Sequence, residues 1–181
     1  MLRTSVGYAD GDSINPTYHN LGNHTESIQV VYDPAVISYR QLLDVFWDSH
    51  NPTARPWSRQ YKSIIFYHDD KQQNTALDAK RQREYSLNRK IHTEVRPFSA
   101  FYPAEDYHQK YYLQNEPDVF SEYAAIYPDF NQIVASTAAA RVNGYLGGYW
   151  QSETLLQQLS LLGLSKAGQQ KMMQIGNRLL R

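Results

Sequence analysis

Three side chains that could bind or protonate a polarised oxygen lie between residues 18 and 61: the Glu26 carboxyl group and the phenols of Tyr18 and Tyr61. In an extended strand, Glu26 shares one face with Ile28 and Val30. If that face is covered, partial desolvation raises the pKa of Glu26, and the group can act as a general acid near neutral pH. The alternative is a strand-end glutamate that lies in solvent or pairs with a lysine. Periodicity alone favours this alternative, because strand-end charges usually lie in water.

Tyr18 belongs to a loop of fifteen residues, from Asp10 to His24, that is dense in turn-forming residue types. Loops of this length on compact domains are often functional. The pattern alone nevertheless favours a surface position for Tyr18, and it favours a core position for Tyr61 at the start of an apolar stretch. His24, two residues before Glu26, could orient that carboxylate or simply cap the strand.

Other kinds of reactive site are poorly supported by the residue types present. The chain has no cysteine, which excludes disulfides, zinc–thiolate sites and thiol chemistry within these 181 residues. Its six histidines lack the spacing of helical metal ligands, so we expect no metal site. Glycines 144, 147 and 148 lack the strand–turn–helix context of a phosphate-binding loop, and we expect no cofactor.

Strands and helices alternate in the first hundred residues, which predicts an α+β fold with helices packed against a sheet. The predicted strands are 3–9, 26–32, 61–67 and 91–96, and 61–67 is expected to be central because it is apolar on both faces. Ser38 and Gln41 form a capping-box pattern before a helix whose apolar stripe runs from Tyr39 to His50. A polar helix is predicted over 70–88. From Phe98 onward we expect only helices and irregular chain, with Pro103 in a helical first turn.

Composition is that of an ordinary soluble domain: 21.0 kDa, 41% hydrophobic, with eighteen basic and eighteen acidic residues. This balance predicts no nucleic-acid partner, and no apolar run approaches the roughly 20 residues of a membrane span. The N-terminus lacks the apolar stretch of a secretory signal, so a cytoplasmic protein is expected. The length of the chain predicts a single domain, which we place at residues 1–150, followed by a helical tail over 151–181. In this tail we expect Leu155, Leu159 and Leu162 to lie in one helix and Ser165 to cap the next.

Six motifs in the first 109 residues resemble, in order and spacing, the A class of peptide methionine sulfoxide reductases. They are Leu2-Arg-Thr-Ser-Val-Gly-Tyr-Ala; Asn15-Pro-Thr-Tyr-His-Asn-Leu-Gly-Asn-His-Thr-Glu26; Gln29-Val-Val-Tyr-Asp-Pro34 with Val36-Ile-Ser-Tyr39; Leu42-Leu-Asp-Val-Phe-Trp47; Gln60-Tyr61; and Phe101-Tyr-Pro-Ala-Glu-Asp-Tyr-His-Gln109. Arg141-Val-Asn-Gly-Tyr-Leu-Gly-Gly is similar to the C-terminal stretch of a longer subgroup.

The resemblance implies a two-layer sandwich of the ferredoxin-like plait type, with a mixed sheet, and an oxidoreductase that repairs proteins after oxidative damage. The family reduces the S-epimer of methionine sulfoxide, free or in proteins, with thioredoxin or another thiol as reductant. A cysteine thiolate attacks the sulfoxide sulfur while a protonated glutamate and two tyrosine hydroxyls hydrogen-bond the departing oxygen. By motif match these three residues are Glu26, Tyr18 and Tyr61. Because a sulfoxide oxygen leaves poorly until it is protonated, such a site needs an acid.

The chain departs from the family pattern in its nucleophile. Members of the family carry a Gly-Cys-Phe-Trp-Gly segment, with the first strand and helix, before the position that matches Met1. A second departure is that the family's Gly-Asn-Asp loop is replaced here by Ala54-Arg-Pro-Trp-Ser-Arg59. We therefore expect this chain to be inactive alone. One hypothesis is that Met1 is an internal methionine and that the upstream DNA encodes Gly-x-Phe-Trp-Gly, with cysteine or selenocysteine at x. The alternative is a non-catalytic module that binds methionine sulfoxide.

Overall fold

The computed structural model describes residues 2–149 and 152–179, and the fold is α+β as predicted. The chain forms two compact units. One consists of Gly7–Ser27 and Tyr32–Pro103, and the other of Met1–Val6, Ile28–Val31 and Ala104–Arg181. The predicted domain boundary near residue 150 stays a prediction, and so does the plait arrangement of the strands.

Five strands form two small sheets in the described residues. Their bounds are β1 Arg3–Ala9, β2 Thr25–Val31, β3 Ile64–Tyr67, β4 Glu94–Pro97 and β5 Phe101–Pro103. The first sheet has the order β2-β1-β5 with β1 and β5 antiparallel, and in the second β3 pairs with β4 in parallel.

Strand β5 corrects the sequence analysis, which predicted only helices and irregular chain after Phe98. Pro103 ends β5 opposite Gly7 and does not open a helix. A side chain at Gly7 could not be accommodated, because its Cβ would lie 2.3 Å from the Tyr102 carbonyl oxygen. The prediction failed because three residues are too few to show a strand period.

Helix α1 (Tyr39–Asp48) begins as its sequence predicts. The Ser38 hydroxyl accepts a hydrogen bond from the Gln41 backbone N–H, and the Gln41 side-chain oxygen accepts one from the Ser38 backbone N–H. Leu43 and Trp47 are buried on the predicted stripe, and they pack with α2 (Asp70–Leu87) and β3 in one apolar cluster. This cluster is the core of the unit that contains Gly7–Ser27.

Strand β3 is shorter and less enclosed than predicted. It begins at Ile64, so Tyr61 lies in the preceding turn, and in the described part of the chain β3 has β4 as its one partner. The expectation of a central strand is therefore wrong. Its apolar residues are explained instead by α2, which packs on β3 and β4.

The second unit is mainly helical. Its helices are α3 Tyr111–Gln114, α4 Pro117–Ile126, α5 Phe130–Ala135, α6 Thr137–Leu146, α7 Ser152–Gln158 and α8 Lys166–Leu179. Leu155, Leu159 and Leu162 are buried as their spacing predicts. Ser165 caps α8 by accepting from the Gly168 N–H at 3.2 Å. Within the described residues, every helix is too short or too polar to span a bilayer.

Lys110 is an unusual buried cation in this unit. It is 5% exposed, and its Nζ donates to the Thr4 carbonyl oxygen at 2.6 Å and to the Thr4 hydroxyl at 3.1 Å. Burial lowers the pKa of Lys110 to about 8. Between pH 8 and the unfolded pKa near 10.5, the unfolded chain binds a proton that the folded chain has lost, so the folded state gains stability as pH rises.

We therefore expect the free energy of unfolding to rise between pH 8 and 9.5 by up to about 1 kcal/mol per pH unit, and this rise to be absent in Lys110→Met. Urea titrations of both proteins across this range measure it. The range stops below the region where Tyr39, whose pKa burial raises to about 12, would oppose the trend. Equal slopes for the two proteins would show that Lys110 is solvated in the folded state.

Candidate functional site

Tyr18, Glu26 and Tyr61 lie together in the unit of Gly7–Ser27 and Tyr32–Pro103. The Tyr18 and Tyr61 side chains are hydrogen-bonded to each other, and the Glu26 carboxylate acts electrostatically on the Tyr61 hydroxyl. Tyr18 is 39% and Tyr61 41% exposed. Three polar groups that are far apart in sequence thus form one solvent-accessible cluster, which we name the phenol–carboxylate site.

Backbone and side-chain bonds fix Glu26 next to the segment that carries Tyr61. The Glu26 N–H donates to the Gln60 carbonyl oxygen at 3.0 Å, and the Gln60 Nε2 donates to Glu26 Oε1 at 2.7 Å. The Thr25 hydroxyl donates to the Arg59 carbonyl oxygen at 3.1 Å. Gln60 therefore positions the carboxylate, a role that residue type and periodicity did not indicate.

His24 closes the loop that carries Tyr18. It is buried, its Nε2 lies 2.9 Å from the Ser13 carbonyl oxygen, and its ring packs edge-on against Tyr102. The side chains of Asp12 and Asn23 add a bond of 2.7 Å between the two ends of the loop. The His24 ring does not orient Glu26, since its one described hydrogen bond goes to the loop and its Nδ1 is without a partner in the described residues, and the His24 backbone N–H also donates within the loop, to the Leu21 carbonyl oxygen.

A second anchor of the loop is a group of four charges that sequence reasoning missed. Asp10, with a left-handed φ of 63°, accepts from Lys62 Nζ at 2.7 Å and from Arg96 at 2.8 Å. Glu94 contacts both cations. Burial opposes ionisation of Asp10, but the hydrogen bonds and positive charges of Lys62 and Arg96 lower its pKa overall. Asp10 thus ties the start of the loop to the residue that follows Tyr61.

Of the two positions considered for Glu26, the solvent-exposed strand end is the one observed. Glu26 is exposed, Ile28 on the same face is 62% exposed, and the buried side chain at the start of β2 is that of Thr25. The face of β2 that carries Glu26 is open to solvent in the part of the chain that the structure describes, so the described residues do not supply a covered face for this carboxyl group. Tyr61 is likewise not in the core, and its ring stacks with that of Trp57.

The environment of Tyr61 keeps its hydroxyl a hydrogen-bond donor. Partial desolvation, the negative charge of Glu26 and the hydrogen bond with Tyr18 raise the pKa of Tyr61. The described residues contain no group of three or more His, Asp or Glu side chains that could hold a metal ion. The site can therefore supply phenolic hydroxyls and one carboxyl group to a polar oxygen of a ligand.

These observations define a class of protein in which an α+β unit carries a phenol–carboxylate site on its surface. A family model for peptide methionine sulfoxide reductase matches residues 1–142. A peptide methionine sulfoxide reductase of Drosophila melanogaster is 41% identical over 172 residues, which are 94% of this chain and 69% of the fly protein. Peptide methionine sulfoxide reductase A5 of Oryza sativa is 40% identical over 152 residues, 80% of this chain and 59% of the rice protein.

Solved structures agree with these relatives. Reduced Mxr1 of Saccharomyces cerevisiae superposes with a TM-score of 0.58 at 32% identity, covering 63% of this chain and 71% of the yeast chain. Methionine sulfoxide reductase A of Corynebacterium diphtheriae gives a TM-score of 0.53 at 32% identity, covering 63% of each chain. The chain belongs to the peptide methionine sulfoxide reductase family, a family of oxidoreductases, which confirms the resemblance found in its motifs.

Proposed function

We propose that the phenol–carboxylate site binds the oxygen of methionine sulfoxide, free or in a protein. The convergence of Tyr18, Tyr61 and Glu26 carries this proposal, because two hydroxyls and a carboxyl group suit one strongly polarised oxygen. The raised pKa of Tyr61 supports it, since a protonated phenol is the donor that such an oxygen requires.

The reaction that this site serves is the reduction of methionine S-sulfoxide to methionine, a repair of oxidised proteins. The thiolate attacks the sulfoxide sulfur, and the protonated oxygen then passes from the methionine sulfur to the thiol sulfur, which yields a sulfenic acid and the thioether of methionine. The 181 residues contain no cysteine, so the thiolate must come from sequence outside them, and thioredoxin or another thiol then reduces the sulfenic acid. The chain by itself is proposed to bind without turnover, in the cytoplasm.

In the full reaction, Glu26 is proposed to donate a proton to the departing sulfoxide oxygen. In this chain its carboxyl group is exposed and accepts a hydrogen bond from the Gln60 side chain. We propose that the segment supplying the thiolate also covers the Glu26 face of β2, within a plait-type sandwich. The second candidate function is a non-catalytic binding module, which the absence of cysteine favours.

A binding titration tests the proposed site directly. We expect the chain to bind N-acetyl methionine S-sulfoxide methylamide in preference to the corresponding thioether. Replacing both Tyr18 and Tyr61 by Phe removes two donors worth about 0.5–1.5 kcal/mol each, so affinity for the sulfoxide should fall roughly tenfold. Chemical shifts of backbone amides during titration measure both quantities.

The matched control for this titration is Tyr85→Phe. Tyr85 lies in the same unit, is highly exposed and is not part of the site, so its replacement should leave sulfoxide affinity unchanged. Equal affinity of the unmodified chain for sulfoxide and thioether, or an unaltered affinity in the Tyr18/Tyr61 double variant, would remove the basis of the proposal.

A further inference from the structure

Residues 54–59, which we name the Arg-Trp loop, border the phenol–carboxylate site with an exposed indole. Trp57 is 83% exposed, and its ring stacks on Tyr61 with centroids 4.8 Å apart and planes inclined by 29°. Tryptophan is enriched at binding interfaces, and one with this much apolar surface in water is typical of a binding site. Its position beside Tyr61 places that surface next to the phenol–carboxylate site.

The same loop presents two positive charges that no carboxylate neutralises. Arg55 and Arg59 are exposed, and within the described ranges neither guanidinium has an ion-pair or hydrogen-bond partner. Four other arginines of this unit, Arg40, Arg81, Arg83 and Arg96, each contact a carboxylate, whereas Arg89, which lies outside the loop, has no described ion pair. The net charge of the chain is zero, so these two cations form a local feature.

The loop is also held firmly where it meets the site. The Arg59 carbonyl oxygen accepts from the Thr25 hydroxyl at 3.1 Å and from the Lys62 N–H at 3.4 Å. The next carbonyl oxygen, of Gln60, accepts from the Glu26 N–H. The C-terminal end of the loop is therefore fixed against Glu26, while the side chains of Arg55, Trp57 and Arg59 are exposed, so part of the ordering cost of binding at Arg59 is already met.

We propose that the Arg-Trp loop binds the polypeptide around a methionine sulfoxide and favours substrates with acidic residues beside it. The Trp57 indole packs against apolar parts of the flanking chain, and Arg55 and Arg59 pair with its Asp or Glu side chains. This inference rests on the proposed function, because the sulfoxide is what places the peptide at the loop. An acidic peptide fits better than a nucleic acid, since two cations without a surrounding basic surface neutralise too few phosphates.

Four fluorescent peptides of one length test the inference on the full chain by anisotropy. They carry methionine S-sulfoxide or methionine at the centre, and Asp and Glu or Asn and Gln as flanking residues. At roughly 20 mM salt we expect the acidic sulfoxide peptide to bind about tenfold more tightly than the neutral sulfoxide peptide, with the ratio falling towards one near 0.5 M salt. R55E/R59E should abolish the ratio or invert it.

Two further variants separate the loop from general charge and folding effects. Arg89 is exposed on the same unit without a described ion pair, so Arg89→Glu should leave the acidic preference intact. Trp57→Ala should weaken both sulfoxide peptides by a similar factor of roughly three to ten, because it removes apolar contact and no charge. Because Trp57 is exposed, its loss should leave the thermal midpoint unchanged.

Each result has a definite meaning. A preference for sulfoxide over thioether without any preference for acidic flanks, or an acidic preference that survives R55E/R59E, overturns the inference and leaves the proposed function standing. A preference for acidic flanks with equal binding of sulfoxide and thioether overturns the proposed function instead. Absence of binding by all four peptides overturns both.

Discussion

Replacing Glu26 by Gln should lower turnover by about 10²-fold or more in a protein that joins these 181 residues to a Gly-Cys-Phe-Trp-Gly segment at their N-terminus. The amide keeps the shape of the carboxyl group and can donate a hydrogen bond, but it cannot deliver a proton to the departing sulfoxide oxygen. The KM for a methionine S-sulfoxide peptide should change much less than kcat, because the lost interaction is made mainly in the transition state. Steady-state turnover with dithiothreitol measures both parameters.

Two controls make this result specific. Glu116→Gln changes a partly exposed glutamate of the other compact unit and should leave turnover unchanged. The 181-residue chain alone should show no turnover above the reductant-only level, because it has no residue that can form the sulfenic acid. Turnover by the chain alone, or full activity of the Glu26→Gln fusion, would contradict the roles proposed here.

Replacing Trp47 by Ala should destabilise the unit that carries the site by about 3–5 kcal/mol. Trp47 lies on α1 and is buried in the cluster that includes Leu43, Ile65 and Ile91 together with residues of α2. Removing the indole leaves a cavity that neighbouring side chains from two helices and a strand can fill only in part. The midpoint of urea unfolding, followed by circular dichroism, measures the loss.

Trp47→Phe is the matched variant. The Trp47 indole nitrogen is buried without a hydrogen-bond partner in the described structure, so Phe removes an unsatisfied donor while it keeps most of the ring volume. It should therefore cost much less than Ala. If the two variants were equally destabilised, the tryptophan would contribute through its N–H group and not through packing.

Local features of the fold could be predicted because a few neighbouring residues determine them. The capping box at Ser38 and Gln41 and the stripe that buries Leu43 and Trp47 are both encoded within one helix. Ile91 and Thr93 are buried as the alternation predicted, although the strand itself begins only at Glu94. Each of these patterns is complete within a dozen residues, so no distant contact was needed to interpret it.

Features that depend on distant pairing were not predictable in this way. Strand β5 exists because Gly7 lets the chain at Tyr102 approach closely, across 95 positions of sequence. The exposure of Glu26 depends on what packs over β2, which alternation along β2 cannot reveal. The ion pairs of Asp10 with Lys62 and Arg96 join three segments whose charges look like ordinary surface residues in the sequence.

The candidate site was likewise predictable from the sequence only in part. Residue chemistry and periodicity identified Glu26 as a possible acid but favoured a solvent-exposed, unremarkable position, and they assigned Tyr61 to the core. Only the family resemblance placed Tyr18, Glu26 and Tyr61 in one site, because the pairing of β2 with the segment before β3 is a tertiary contact. The positioning roles of Gln60 and Asp10 follow only from their hydrogen bonds, and those bonds also show that His24 holds the loop and does not orient Glu26.

The phenol–carboxylate site can be tested by a crystal structure of the chain with a saturating methionine S-sulfoxide peptide. We expect the sulfoxide oxygen to lie within about 3 Å of the Tyr18 and Tyr61 hydroxyls and of the Glu26 carboxyl group. A sulfoxide bound elsewhere on the chain, or one whose oxygen points away from these three groups, would contradict the assignment of the phenol–carboxylate site.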